Sequence, residues 1–261
     1  MPPSKNPLDR DRRIAVVGRR PVLEALTAPE VDVELVRIAR GAPAALRSEI
    51  QAACRDRSVP CEVGSVARVR ELADEPRHDQ GVAARVVLHR VEPVEQVLAS
   101  TAPTDGPNTR RREHWLALDG LTHSGNVGMI ARSAAASGIQ GIVWPRIGTP
   151  WLNALIVKAS AGAVLRSRIA RCDGLAEGLE RFQRAGFRCI GLDAHRGDDL
   201  YASAIPDRAV YVVGSETEGL SRPVEALLDS HVQIPLSDSV ESLNAAVAAA
   251  LVCFHVSNPH R

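Results

Sequence analysis

Short apolar runs alternate with stretches of helical periodicity along most of this 261-residue chain. In the first part, strands are predicted at residues 13–17, 33–39, 59–63 and 82–89, with helices at 21–26, 44–56 and up to 72. Further on, strands are predicted at 115–119, 141–144, 188–193, 209–213 and 231–234, with helices from 125 and at 152–160, 175–185, 222–228 and 242–255. Strands that alternate with helices form mostly parallel sheets covered on both faces. The sequence therefore predicts an α/β fold.

A polar stretch divides these elements into two groups. Residues 101–112 contain several turn formers, no apolar residue larger than alanine and a basic end. Such stretches are typical of domain boundaries. We therefore predict a flexible tail over 1–12, a small α/β domain over 13–100, a linker over 101–112 and a second α/β domain over 113–261.

Composition excludes several classes of protein. The formal net charge of +1 argues against a protein that coats nucleic acid through bulk charge, and the 3% aromatic content argues against base stacking as its main contact. No apolar run is long enough to span a bilayer, so we expect a cytoplasmic protein with no membrane partner. The five cysteines form no Cys-x-x-Cys pair and are expected to be buried, with no metal site.

Three segments of the second group combine glycines with polar side chains after a predicted strand. Ligands of open α/β sheets bind at this edge. The first segment runs from Leu118 to Arg132 and contains Gly125-Asn126, where the asparagine fits a helix N-cap. Arg132 follows on a helix whose predicted apolar face is Val127, Ile130, Ala131, Ala134 and Ala135. A buried arginine requires an anion, so Arg132 is interpreted either as a structural ion pair or as a contact to a bound anion or substrate.

The second segment is the loop from Gly214 to Leu220, which contains Glu216 and Gly219. It lacks the lysine of a phosphate-binding P-loop and the glycine pattern of a dinucleotide-binding turn, so neither a nucleoside triphosphate nor a nicotinamide cofactor is supported. The third segment is Ile234-Pro235 followed by Ser242-Leu243-Asn244 and an apolar helix. Its predicted buried stripe is Leu243, Val247, Leu251 and Phe254. Ser242 is a candidate N-cap of that helix, and Asn244 would then lie inside its first turn.

Together and in this order, the three segments resemble the three motifs of the SPOUT superfamily, in its branch of tRNA and rRNA ribose 2′-O-methyltransferases. The resemblance covers about residues 113–257 and includes Lys158-Ala-Ser-Ala-Gly162-Ala163. It departs from the common pattern at His123-Ser124. It implies a parallel-sheet methyltransferase domain whose C-terminal segment forms a trefoil knot, S-adenosylmethionine as cofactor, no metal, and a homodimer in which each active site takes residues from its partner.

The resemblance also implies roles for individual residues. The matching cofactor-binding set is Gly214, Glu216, Gly219, Leu220, Ile234, Leu243 and Asn244. The matching catalytic set is Asn126, Arg132, Glu216, Ser242 and Asn244. Arg132 would act in the partner's site as the base or activator of the ribose hydroxyl. Because a guanidinium keeps its proton in proteins, Arg132 can instead fix a phosphate and orient the 2′-oxygen.

The first group of elements resembles the small ribosomal-protein-like α/β domain that often precedes this catalytic domain and recognises folded RNA. The match rests on residues 17–26 and 80–83. Candidate phosphate contacts are Arg10, Arg12, Arg13, Arg19, Arg20 and Arg110-Arg111-Arg112. We therefore expect methylation of large-subunit ribosomal RNA, at a guanosine. The alternatives are an antibiotic-resistance rRNA methyltransferase, a tRNA 2′-O-methyltransferase and a non-catalytic RNA-binding assembly factor.

Overall fold

The computed structural model describes residues 7–72, 80–101, 112–237 and 240–257. The chain forms two compact units. Unit 1 comprises Met1–Val91 together with Trp151–Arg166, and unit 2 comprises Glu92–Pro150 and Ser167–Arg261. The first long stretch of unit 1 therefore ends at Val91 rather than at residue 100, and unit 2 begins at Glu92 rather than at residue 113. Most of the predicted linker, residues 102–111, lies outside the described residues.

The helices and strands are as follows in chain order. The first part of the chain contains α1 (Pro7–Arg12), β1 (Arg13–Val17), α2 (Arg19–Thr27), β2 (Val31–Ala39), α3 (Ala44–Asp56), β3 (Cys61–Gly64), α4 (Val66–Arg70), β4 (Val82–Leu88), β5 (Val91–Pro93) and α5 (Val94–Ser100). The remainder contains β6 (Glu113–Leu118), α6 (Ser124–Ser137), β7 (Gly141–Pro145), α7 (Ala154–Ala159), a 3-10 helix (Ala163–Arg166), β8 (Ile169–Cys172), α8 (Leu175–Arg184), β9 (Arg188–Leu192), β10 (Asp198–Asp199), β11 (Arg208–Val213), α9 (Arg222–Glu225), β12 (Ser230–Gln233) and α10 (Ala245–Val256).

Unit 1 is built on a four-stranded sheet in the order β1-β4-β2-β3. β4 runs antiparallel to β1 and β2, whereas β2 and β3 are parallel. Leu46, Ile50 and Cys54 are buried and form one apolar face of α3. The predicted tail is wrong from residue 7 onward, because Pro7–Arg12 is helical, Asp11 is buried and Arg12 Nε donates to the Val91 carbonyl oxygen at 2.8 Å.

The segment Trp151–Arg166 belongs to unit 1, although it lies within the predicted methyltransferase domain. Its helix α7 packs against β1 and α2 and buries Ile156 and Val157. The following turn places Gly162 against α2, where a Cβ atom would lie 1.7 Å from Glu24 Oε2. Burial of this distant segment could not be read from its local pattern, because it depends on a contact between residues more than a hundred positions apart in sequence.

Unit 2 is built on an eight-stranded sheet in the order β10-β12-β9-β11-β6-β7-β8-β5. The pairings of β10 with β12, β12 with β9, β9 with β11, β11 with β6, β6 with β7 and β7 with β8 are all parallel. The predicted α/β fold with a mostly parallel sheet is confirmed. None of the helices in the described ranges is long and apolar enough to cross a membrane.

The core of unit 2 explains why its boundary lies before residue 100. Val94 and Val97 of α5 are buried with Trp115 and Phe182 in one apolar cluster. The rings of Trp115 and Phe182 lie 5.5 Å apart, and those of Phe182 and Phe187 lie 5.0 Å apart in an edge-to-face arrangement. Residues 94–100 therefore complete this core, rather than that of the preceding domain.

Helices α6 and α10 pack against each other and carry two of the three predicted segments. The predicted face of α6 is confirmed at Val127, Ile130, Ala131 and Ala134, while Ala135 is exposed. The predicted stripe of α10 is wrong. Val247 is 48% exposed and Phe254 is 53% exposed, and the buried side is instead Ala245, Ala246, Ala249, Val252, Cys253 and Val256. Because α10 is apolar on all sides, periodicity could not indicate which side faces this core.

Candidate active site

A cavity of about 400 Å³ opens where β9, β11 and β12 end. Its lining residues lie within 192–195, 213–220, 232–236 and 241–248. The first three groups follow or end parallel strands, and the fourth precedes and begins α10. The cavity is therefore at the carboxyl edge of the sheet, where open α/β sheets bind their ligands.

The structure brings most of the predicted cofactor-binding residues to this one cavity. Its lining includes Gly214, Glu216, Gly219, Leu220, Ile234 and Leu243, together with Ser242 from the predicted catalytic set. Asn244 does not line the cavity, but its neighbours Leu243 and Ala245 do. Residues of the second segment and of the third segment, which are about 20 positions apart in sequence, are therefore adjacent in space.

The loop between β11 and α9 forms one wall of the cavity. Ser215 and Gly219 exchange two backbone hydrogen bonds of 2.9 Å, which close a tight turn around Glu216. Gly219 has a φ angle of 67°, a conformation that favours glycine. A Cβ atom on Gly214 would lie 2.5 Å from the carbonyl carbon of Gly219 and 2.7 Å from the Leu220 nitrogen. The loop conformation therefore depends on both glycines.

Beside the cavity, Glu216 joins the three predicted segments through one oxygen atom. Its Oε1 accepts hydrogen bonds from Asn126 Nδ2 at 2.8 Å and from Asn244 Nδ2 at 2.5 Å. The backbone nitrogen of Ala245 donates to the same oxygen at 3.2 Å. Asn244 Nδ2 also lies 3.3 Å from Asn126 Oδ1. Hydrogen bonds to a carboxylate are stronger than those between neutral groups, so this cluster fixes the start of α10 against α6 and the loop.

The two asparagines exchange the helix positions that the sequence predicts for them. Asn126 is not an N-cap: α6 begins at Ser124, and Asn126 lies in its first turn, buried to all but 8% of its surface. Asn244 is the N-cap of α10, where its Oδ1 accepts a hydrogen bond of 2.9 Å from the Ala246 nitrogen. Ser242 precedes this cap and is exposed at the cavity. The capping role of Asn244 leaves its Nδ2 to bind Glu216.

Arg132 lies apart from this cluster. It is on α6 but on an exposed face, so the expectation of a buried arginine is wrong for the single chain. It forms no ion pair with any residue that the structure describes. The predicted structural ion pair is therefore absent from the described part of the chain, and the guanidinium faces outward from the helix that also carries Asn126.

Sequence reasoning missed the contribution of β9. Asp193 and His195 follow this strand and line the cavity. Glu241, which directly precedes Ser242 of the third segment, also lines it. Burial alone would raise the pKa of Asp193, but hydrogen bonds from the His195 backbone and from Arg196 outweigh it and lower the pKa. Asp193 therefore stays ionised at neutral pH. The rule that identified the other segments, polar residues at a strand's carboxyl end, applies equally to the strand predicted at 188–193.

The cavity has a negative electrostatic character. Three of its described lining residues carry carboxylates, namely Asp193, Glu216 and Glu241, and none of the described lining residues is a lysine or an arginine. Asp193 forms an ion pair of 2.7 Å with Arg196, so Glu216 and Glu241 contribute most of the negative charge. The remaining walls are largely apolar, with Leu220, Ile234 and Leu243 among them. Such a pocket favours a ligand that combines apolar surface with a positive charge over a polyanion.

Comparison with known proteins places this arrangement in a family. The model of the SpoU rRNA methylase family matches residues 113–254. A protein of Mycobacterium tuberculosis (strain H37Ra), described as a tRNA/rRNA methyltransferase, is 34% identical over 98% of this chain and 78% of its own. A TrmH-family tRNA/rRNA methyltransferase of Staphylococcus aureus (strain MSSA476) is 31% identical, and the match covers 92% of this chain and 94% of its own.

Solved structures agree with the fold. The SpoU methyltransferase AviRb from Streptomyces viridochromogenes, in complex with AdoMet, superposes with a TM-score of 0.70 at 24% identity, over 98% of this chain and 93% of its own. A TrmH-family RNA methyltransferase from Porphyromonas gingivalis has a TM-score of 0.68 at 26% identity, over 95% of this chain and 90% of its own. The family model spans more than half of the chain and covers the loop, the polar cluster and the start of α10. This chain therefore belongs to the SpoU rRNA methylase family, within the SpoU/TrmH branch of the SPOUT RNA methyltransferases.

Proposed function

We propose that this chain is an S-adenosylmethionine-dependent RNA methyltransferase that modifies a ribose 2′-hydroxyl, at a guanosine of large-subunit ribosomal RNA. The observation that carries the proposal is that the second and third predicted segments line one cavity, beside which Glu216 is hydrogen-bonded to Asn126 of the first segment and to Asn244 of the third. The names of the relatives, which are tRNA/rRNA methyltransferases, support the RNA substrate.

The cavity fits S-adenosylmethionine in size and in charge. Its volume of about 400 Å³ is within the range of about 300–1,000 Å³ that small-molecule sites occupy. The cofactor carries a net positive charge, which the carboxylates of Asp193, Glu216 and Glu241 favour. A nucleoside triphosphate would meet the same carboxylates with several negative charges. When bound, S-adenosylmethionine supplies the methyl group on a positively charged sulfur. The apolar walls formed by Ile234 and Leu243 are suited to its adenosine.

The residues of the chain would act mainly by positioning. Glu216 Oε1 already accepts three hydrogen bonds, so this oxygen holds the pocket wall and the start of α10 together. Ser242 lines the cavity and forms no side-chain hydrogen bond with the described residues, so we assign to its hydroxyl the orientation of a ribose or cofactor oxygen. Arg132 cannot accept the proton of the ribose hydroxyl, because a guanidinium does not lose its own. We assign to it the binding of the neighbouring phosphate, which orients the 2′-oxygen for attack.

The proposal includes a homodimer in which Arg132 serves the partner's site. On the outside of α6 and α10, Met129, Val247 and Phe254 expose 44%, 48% and 53% of their surface. We propose that these side chains belong to one interface, because contiguous exposed apolar surface is typical of protein interfaces. Arg132 lies on the same helix as Met129 and is also exposed, so a second copy that covers this face would bring its own site to Arg132. From the family we also propose that the C-terminal segment is threaded as a trefoil knot.

We further propose that unit 1 binds the RNA substrate. Arg10 and Arg20 are exposed on it and are suited to phosphate contacts. Arg13 and Arg19 are exposed as well, but they form ion pairs with Glu34 and Glu49, respectively. Among the basic residues of the predicted linker, Arg112 is exposed, and Arg110 and Arg111 lie outside the described residues. An RNA-recognition unit of this kind favours a large folded RNA over a small one.

Ribose-methylation mapping of total RNA tests this proposal. We expect one 2′-O-methyl position of large-subunit ribosomal RNA to be present in cells with the gene and absent in cells without it. Loss of a position in a tRNA instead would contradict the ribosomal substrate. Loss of a base methylation would contradict the ribose chemistry.

A further inference from the structure

A buried carboxylate at the end of β6 contacts both residues that flank the cavity loop. The backbone nitrogen of Asp119 donates to the Val213 carbonyl oxygen at 2.9 Å, which extends the pairing of β6 with β11. Its side chain accepts a hydrogen bond of 2.6 Å from the Ser221 nitrogen and one of 3.1 Å from Ser221 Oγ. Val213 and Ser221 are the residues immediately before and after the loop 214–220, so Asp119 closes the base of this loop.

Because Asp119 is buried, water cannot readily replace its hydrogen bonds to Ser221. Only 6% of its surface is exposed, and both hydrogen bonds that its side chain accepts within the described ranges come from Ser221. A buried carboxylate that loses its hydrogen-bond donors is strongly destabilised, so Asp119 should hold Ser221 in place. Within the loop, the turn between Ser215 and Gly219 provides a second closure, and Gly214 and Leu220 at its two ends line the cavity.

We propose that Asp119 is a positioning residue: it closes the loop 214–220 in the cofactor-free protein and thereby presents the loop as the wall of the binding cavity. The cofactor part of this inference rests on the proposed function, whereas the closure of the loop does not. Asp119 touches no cavity atom itself, since it is absent from the described lining residues. It acts through Ser221 and the backbone of the loop.

Hydrogen exchange in the cofactor-free protein tests the closure. Asp119→Ala should speed amide exchange at 215–221 by tenfold or more, because the Ser221 amide loses its acceptor. Asp229→Ala is the control for loss of a backbone-amide acceptor: Asp229 is exposed, and its Oδ2 accepts a hydrogen bond of 2.7 Å from the Cys189 nitrogen at the amino-terminal edge of the sheet. This control should speed exchange near Cys189 and leave 215–221 unchanged. Unchanged exchange at 215–221 in Asp119→Ala would overturn the proposal.

Two further variants keep the test decisive if Asp119→Ala does not fold. Ser221→Pro removes both donors while Asp119 stays intact, and the φ angle of −71° at Ser221 suits proline. It should reproduce the fast exchange of the loop. Asp119→Asn keeps one oxygen as an acceptor and should restore exchange to within threefold of the wild type. If Ser221→Pro leaves the loop protected, or if Asp119→Asn behaves like alanine, the hydrogen bonds to Ser221 are not what closes the loop.

Titration with S-adenosylmethionine separates this inference from the proposed function. With the loop open, Asp119→Ala should raise the Kd and the KM for S-adenosylmethionine by ten- to a hundredfold, with kcat at saturating cofactor within threefold of the wild type. Asp229→Ala should keep the wild-type Kd even if it lowers the melting temperature. An equal rise of Kd in both aspartate variants would reduce Asp119 to a general stability role. If the wild type itself binds no S-adenosylmethionine, the proposed function fails, and the exchange data still decide whether Asp119 closes the loop.

Discussion

Replacement of Gly214 by alanine is expected to weaken cofactor binding by roughly five- to a hundredfold. The added Cβ atom would lie 2.5 Å from the backbone carbon and oxygen of Gly219. An ordinary contact is about 3.5 Å or longer, so the turn must open by about 1 Å. Overpacking of this kind costs about 1–3 kcal/mol, and each 1.4 kcal/mol is about tenfold in affinity. Because the contacted atoms are backbone, a side-chain rotation cannot relieve the clash.

Isothermal titration with S-adenosylmethionine measures this effect, with the melting temperature recorded in parallel. Gly174→Ala is the matched control, because a Cβ atom at Gly174 has no neighbour within 4 Å and its φ angle of −116° suits alanine. The control should bind as the wild type does, although its stability should fall by about 0.5–1 kcal/mol because alanine is a poorer N-cap than glycine. If Gly214→Ala binds the cofactor within twofold of the wild type, the loop is not the tight cavity wall that we describe.

Substitutions at two other positions test separate parts of the proposal, and a third prediction concerns the reactivity of the cysteines. Arg132→Ala should lower methyl transfer by about two to four orders of magnitude and leave cofactor affinity within a few-fold, as measured by single-turnover kinetics and titration; Arg132→Lys should restore little, because a point charge lacks the planar pair of donors. Phe254→Asp should convert the dimer to monomer in sedimentation and abolish transfer, because it places a charge in the apolar face. Among the thiols, Cys61 should react first with iodoacetamide near neutral pH, as mass spectrometry of the peptides would detect. A hydrogen bond from Cys54 lowers the pKa of Cys61 and raises that of Cys54, so the reactive thiolate of Cys61 forms at lower pH.

A specific result would contradict each of these three predictions. Near-normal transfer by a dimeric Arg132→Ala would leave that arginine without a catalytic role. An active monomer of Phe254→Asp would exclude a site shared between subunits. Faster alkylation of Cys54 than of Cys61 would contradict the hydrogen bond that stabilises the Cys61 thiolate.

Sequence patterns predicted most of the longer strands and helices, because each of these carries its own periodicity. They missed the short elements α1, β5, α5, β8 and β10. The polar segments that follow β11 and β12 were identified because each stands next to a clear strand. From these segments, the lining of one cavity includes Gly214, Glu216, Gly219, Leu220, Ile234, Ser242 and Leu243. Asp193 follows an equally clear strand, but its neighbours contain no glycine-rich pattern to draw attention to it. Asp119 was missed because its partner, Ser221, is 102 residues away in sequence.

Features that depend on neighbours in space could not be read from the chain. The exposed side of α10 carries Val247 and Phe254, and nothing in an all-apolar helix distinguishes a side that faces the core from a side that awaits a partner. The two asparagines illustrate a finer limit. Asn126 and Asn244 both suit an N-cap, but only Asn244 caps a helix, whereas Asn126 lies in the first turn of α6 and donates a hydrogen bond to Glu216.

The central claim is tested most directly by methyl transfer to purified ribosomal RNA. The protein is incubated with large-subunit RNA from cells that lack the gene and with S-adenosylmethionine labelled in its methyl group, and the RNA is then digested to nucleosides. We predict that the label is recovered in 2′-O-methylguanosine, and that Asn126→Ala, which removes one donor to Glu216, lowers the yield. Label recovered in a base-methylated nucleoside would contradict ribose methylation. Binding of the cofactor without label in any RNA would instead identify the chain as a non-catalytic RNA-binding protein.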